Sequence, residues 1–112
     1  MPVKLTYTIK FVADMDQAIS FYRDTLGLPL KFQSPAWSEL VTGDTTLALH
    51  SASAQHPAGT VELGFGVPDL QAFLAELTAK GVPITRPPTA EGGTLIAQFR
   101  DSDGAECSVS EQ

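Results

Sequence analysis

The chain carries one structural unit written twice. Residues 7–14 read Tyr-Thr-Ile-Lys-Phe-Val-Ala-Asp and residues 62–69 read Glu-Leu-Gly-Phe-Gly-Val-Pro-Asp. At a shift of 55, Val12 meets Val67 and Asp14 meets Asp69. Gly27-Leu28-Pro29-Leu30 then meets Gly81-Val82-Pro83-Ile84 at a shift of 54. A repeat of this period is a supersecondary unit that needs its neighbour to bury an apolar face. With 112 residues, there is room for two units in one domain. The boundaries read as a first module at 1–54 and a second at 60–112, joined by residues 55–59 with their Pro57 and Gly59.

Each unit predicts the same order of elements. Asp14 and Asp69 stand where a helix needs an acceptor for its first free amides. Behind them, Met15, Ala18, Ile19, Tyr22 and Leu26 recur at helical steps, as do Leu70, Phe73, Leu74 and Leu77. That periodicity assigns Phe21 and Tyr22 to the core. Gly27 and Gly81 suit the left-handed residue that ends a helix, and Pro29 and Pro83 forbid its continuation. Strands are expected at 5–12, 28–34, 36–42 and 45–51, then at 62–67, 82–86, 93–100 and 104–110. The fold class is therefore α+β, with tandem β-α-β-β-β modules. The segment 87–93, rich in proline and glycine, reads as a lid or as a long turn.

Alternation sorts strand residues into faces. Leu63, Phe65 and Val67 share one face and Glu62, Gly64 and Gly66 the other. Cys107 and Val109 oppose Glu106, Ser108 and Ser110, and Leu47 and Leu49 oppose Thr46, Ala48 and His50. In 5–12, Lys10 interrupts the face opposite Tyr7, Ile9 and Phe11. The polar face is either a cup for a ligand or a surface open to water or to another subunit.

The formal net charge is −6, from 7 Lys plus Arg against 13 Asp plus Glu. That balance argues against nucleic acid and anionic membranes, and it favours neutral or cationic ligands. The single cysteine, Cys107, excludes an internal disulfide and a multi-cysteine metal site; it reads as an inert buried thiol. No apolar run reaches the length of a membrane span and no signal-peptide pattern is present, so a cytoplasmic location is expected.

Tyr7-Thr-Ile-Lys-Phe-Val-Ala-Asp14, followed by Ala18-Ile-Ser-Phe21-Tyr22-Arg23-Asp24-Thr-Leu26-Gly27-Leu28, resembles the opening of the vicinal oxygen chelate superfamily of glyoxalase I, bleomycin-resistance proteins and extradiol dioxygenases. Phe99-Arg-Asp101-Ser-Asp103-Gly104 is similar to the closing turn of that family, with Ser102 in place of the usual proline. The resemblance implies paired β-α-β-β-β modules that form an incomplete barrel around a cup, and a homodimer. It also implies ligand positions for a divalent metal at Tyr7, at Ala48 or His50, at Glu62 and at Ser108. Of these, Glu62 is a good hard-metal ligand and His50 a weaker candidate. A catalytic site usually needs three protein ligands and an open position, so no cofactor is expected. Glyoxalase I chemistry, extradiol cleavage and metal-dependent thiol transfer to fosfomycin are disfavoured with it.

The candidate ligand-binding residues are Tyr7, Trp37, His50, Glu62, Ser108 and Arg100. Glu62 offers a carboxylate beside two glycines, for a cation or as a general base. Tyr7 and Trp37 offer rings, His50 an acid–base group, and Arg100 a clamp for an anion unless it pairs with the acidic turn beside it. His56 falls in the linker and carries no assignment. The leading expectation is a metal-independent protein that sequesters an aromatic or cationic small molecule, as bleomycin-resistance proteins do. The alternative is a glyoxalase-like lyase, isomerase or dioxygenase-type enzyme that uses Glu62 and His50. A third reading is a structural or regulatory dimer with a vestigial cup.

Overall fold

The computed structural model describes residues 2–112. Its elements run β1 (Lys4–Val12), α1 (Met15–Ile19), β2 (Leu30–Phe32), β3 (Trp37–Val41), β4 (Thr46–Ser51), β5 (Val61–Val67), α2 (Leu70–Ala79), β6 (Ile84–Glu91), β7 (Thr94–Arg100) and β8 (Glu106–Glu111). This is the α+β alternation the repeat implies. The described residues divide into compact units: residues 6–61, and residues 62–112 together with residues 2–5. No helix among the described residues is long and apolar enough to cross a membrane.

In the first unit the strands lie in the order β2-β3-β4-β1. β1 and β4 are parallel, with Tyr7 opposite Thr46, Ile9 opposite Ala48 and Phe11 opposite His50. β3 pairs antiparallel with β4, which places Trp37 opposite His50 and Glu39 opposite Ala48. One face of this sheet packs beneath the helix. Val12, Ile19, Leu40 and Leu49 are buried there, with Met15, Ala18 and Tyr22 against them.

The second unit repeats the pattern in the order β5-β8-β7-β6. Gly64 pairs with Ser108 and Gly66 with Ser110 in parallel, and Gln98 opposes Ser108 across an antiparallel ladder. Val67, Leu70, Phe73, Leu74, Ala97 and Val109 form its core. Asp14 and Asp69 cap their helices through the Gln17 and Ala72 amides, each at 3.0 Å. Gly27 and Gly81 stop them with φ of 79° and 80°, a conformation that costs other residues a clash at Cβ.

Two segments depart from the sequence expectation. The first helix is α-helical only through Ile19, and Ser20–Thr25 continues it as a π-helix, in which the Leu26 amide reaches back to the Phe21 carbonyl at 3.1 Å. Widening the turn shifts the side chains off the 3.6-residue stripe, so Phe21 lies 50% exposed rather than in the core. Tyr22 stays half-buried. The segment at 87–93 is mostly edge strand: β6 runs through Pro87 and Pro88 to Glu91 and turns at Gly92 and Gly93 into β7. The prolines fit because β6 has one strand neighbour and its register shifts between Arg86 and Thr89, so no ladder donor is missed.

Candidate functional site

The face of the first unit turned away from its helix gathers aromatic rings. Because side chains alternate, Tyr7, Ile9 and Phe11 of β1 project to the same side as Ala48 and His50 of β4 and Trp37 and Glu39 of β3. Ile9, Phe11 and Ala48 form a small buried cluster with Tyr7, Trp37 and Ala52 around it. Tyr7 meets Trp37 edge-on at 5.8 Å, and Trp37 meets His50 edge-on at 5.9 Å. Phe11 lies 5.1 Å from the His50 ring and stacks on His56 at 4.5 Å, which brings the linker histidine onto the same surface.

Glu39 gives this surface its charge. Its Oε2 accepts from the Trp37 indole Nε1–H at 2.8 Å, and its Oε1 lies 3.8 Å from the Lys31 ammonium. Burial, and secondarily the Glu39 carboxylate, push the Tyr7 phenol above its ordinary value of 10.0, so Tyr7 is a neutral donor at physiological pH. His50 turns Nδ1 to the Ser51 carbonyl at 2.8 Å. A carbonyl only accepts, so Nδ1 is the donor in this contact.

The corresponding face of the second unit is polar. Glu62 of β5 is 7% exposed. Gln98 of β7 donates from one Nε2 to Glu62 at 3.3 Å and to Glu106 of β8 at 3.2 Å. Thr85 donates to the other oxygen of Glu106 at 3.1 Å. Ser108 sits in register with Gln98 and Gly64 on this side. Arg100 lies at the rim, where its Nη1 donates to the Gly104 carbonyl at 3.0 Å rather than to a turn carboxylate. Cys107 points to the opposite, helix-side face. Burial, then Asp101, Glu62 and Glu106, raise its thiol above 9.0, so it is no nucleophile at neutral pH.

The internal ladder registers of the two units correspond position by position. Tyr7 and Glu62 are repeat-mates, as are Ala48 and Ser108, His50 and Ser110, and Glu39 and Gln98. Glu39, Gln98 and Glu106 are the residues that sequence reasoning passed over as site candidates. Alternation carried their signal, since Glu39 lies two residues from Trp37, and Gln98 and Glu106 lie two from Arg100 and Ser108.

The positions that the family resemblance assigns to a metal do not form a ligand set. Ala48 has no donor atom, Ser108 offers a neutral hydroxyl, and the raised pKa of Tyr7 moves it further from a phenolate. Glu62 is a capable ligand already engaged by Gln98. His50 adds one nitrogen, flanked by the Phe11 and Trp37 rings.

Tandem β-α-β-β-β units with an aromatic face on one and a carboxylate–amide face on the other define a class of repeated-module sheet proteins. The family profile described as the Glyoxalase/Bleomycin resistance protein/Dioxygenase superfamily matches residues 4–109, and the chain belongs to that superfamily. An uncharacterized protein of Bacillus subtilis (strain 168), YurT, is 34% identical over an alignment of 119 residues, covering 91% of this chain and 94% of its own. A hypothetical protein of Bacillus halodurans C-125 shares the fold at a TM-score of 0.84 and 16% identity, over 100% of this chain and 96% of that one. Methylmalonyl-CoA epimerase from Mycobacterium tuberculosis does so at a TM-score of 0.80 and 22% identity, over 96% and 86%.

Proposed function

We propose that the protein binds an aromatic, cationic small molecule on the face built from Tyr7, Trp37, Glu39 and His50, without a metal ion. The observation that carries this reading is the Glu39 carboxylate held against the Trp37 indole at 2.8 Å. Rings attract a cation through their faces, and an adjacent carboxylate, largely withdrawn from water, adds charge that a neutral ligand cannot use. The unsuited metal positions and the net charge of −6 support the same reading. Trp37 is the one tryptophan of the chain, so its emission reports on this face directly. Titration with N-methylquinolinium should quench that emission saturably, and its uncharged analogue N-methyl-2-quinolone should bind at least tenfold more weakly. Equal affinity for both would remove the basis for a cation site. The homodimer expected from the resemblance belongs to this proposal, and sedimentation equilibrium tests it.

The second reading is an acid–base enzyme. The buried Glu62, bonded by the amide that also holds Glu106, favours it. A carboxylate so placed is oriented for proton transfer, with His50 as a second candidate acid–base group. In that case Glu62→Gln retains ligand affinity and abolishes turnover.

A further inference from the structure

Two residues of the first unit contradict the pattern around them. Lys10 opposes Leu49 in the β1–β4 ladder, on the side of the sheet that packs beneath the helix, where alternation calls for an apolar residue. Phe21 holds a helical core position in the sequence and lies 50% exposed on the π segment. Both line one cleft of about 350 Å³, with Tyr22, Gln17 and Ala18 on the helical side and Ala58 and Gly59 on the other. Sites where local rules fail together are where function is expected to have imposed its own demands, and the size suits a small ligand.

Lys10 and Asp14 bring one charge of each sign to this cleft. The Lys10 ammonium donates to the Tyr22 hydroxyl at 2.9 Å and lies 5.4 Å from that ring's centroid. Three N–H groups sit on an ammonium, so this leaves two to donate. Asp14 also borders the cleft, but its Oδ1 is occupied by the Gln17 amide at 3.0 Å as the helix cap. The exposed Phe21 ring meets Tyr22 edge-on at 5.2 Å and extends the apolar wall.

We propose that this cleft is a second small-molecule site, selective for an aromatic carboxylate. The carboxylate accepts from Lys10 and the ring lies against Phe21 and Tyr22. The site is independent of the aromatic face described above and stands whether or not that face binds a cation.

The test titrates the isotopically labelled full chain with phenylacetate and follows backbone amides by NMR. Saturable shifts confined to residues 10–22 and 58–59 are expected, with none from phenethylamine, which carries the opposite charge. Lys10→Met, which keeps the stem, should weaken phenylacetate binding about tenfold or more, the loss of one charge-assisted contact. Lys10→Arg should bind within about threefold of the native chain, and Phe21→Ser should weaken binding several-fold with an unchanged melting temperature. Absence of saturable shifts, shifts centred on Trp37 and His50, equal binding of phenethylamine, or a Lys10→Met variant that binds like the native chain would each overturn the proposal.

Discussion

Replacing Glu39 by glutamine keeps the shape of the aromatic face and removes its charge. The Trp37 indole then donates to a neutral amide oxygen instead of a carboxylate, at a bond now 2.8 Å long. Hydrogen bonds to charged groups contribute roughly 1.5–3 kcal/mol and neutral ones about 0.5–1.5, so the exchange costs about 1 kcal/mol. The Glu39 side chain is 15% exposed, which limits screening, whereas Lys31 is 58% exposed and its loss as a partner adds little. A fall of about 1 kcal/mol in denaturant unfolding is expected. The Trp37 emission should shift, and the Tyr7 phenol should titrate lower while staying above 10.0, because burial remains its larger cause. A bound N-methylquinolinium loses one nearby opposite charge, an expected drop in affinity of about tenfold, or about 1.4 kcal/mol. Native-like Trp37 emission, Tyr7 titration and affinity in Glu39→Gln would refute the reasoning, because the carboxylate would then not act on its neighbours at all.

Stability should decline on the alkaline side. Tyr7 and Cys107 are both raised in the fold, so the folded state favours their protonated forms; that contribution is complete below their ordinary values of 10.0 and 9.0 and is lost as pH rises through the raised ones. Melting curves between pH 8 and pH 11 should show the loss, and Tyr7→Phe should flatten it; an equally steep loss in that variant would assign the effect elsewhere. Gln98→Leu removes the donor shared by Glu62 and Glu106, and about 1–3 kcal/mol should disappear at neutral pH. A loss below about 0.5 kcal/mol would mean that the shared amide contributes little to that face. Leu40→Ala should cost about 2–5 kcal/mol in chemical denaturation, because the residue is fully buried under the first helix. Melting with added Mn, Ni, Zn or Fe(II) should leave the midpoint unmoved, whereas a stoichiometric ion with a large stabilisation would sink the metal-independent reading.

What the sequence determined by itself was everything set by short-range periodicity. The repeat at Tyr7–Asp14 and Glu62–Asp69, the aspartate caps, the glycine stops and the two-residue alternation each depend on neighbours a few positions away, and each is visible in the chain order. So are the helix-side cores and the assignment of Tyr7, His50, Glu62 and Ser108 to the opposite faces. Tertiary structure decided what those residues touch. Cross-strand register put Glu39 beside Ala48 and Gln98 beside Ser108, and one residue of slip would have turned either to the other face. Side-chain reach then joined Glu39 to Trp37 and let a single amide hold Glu62 and Glu106. The π turn that exposes Phe21 was equally hidden, because it depends on a backbone hydrogen bond one residue longer than the α-helical one, and helical spacing of apolar residues reads the same either way. Periodicity in one chain segment fixes which way a side chain faces; only the register between segments fixes what it meets there.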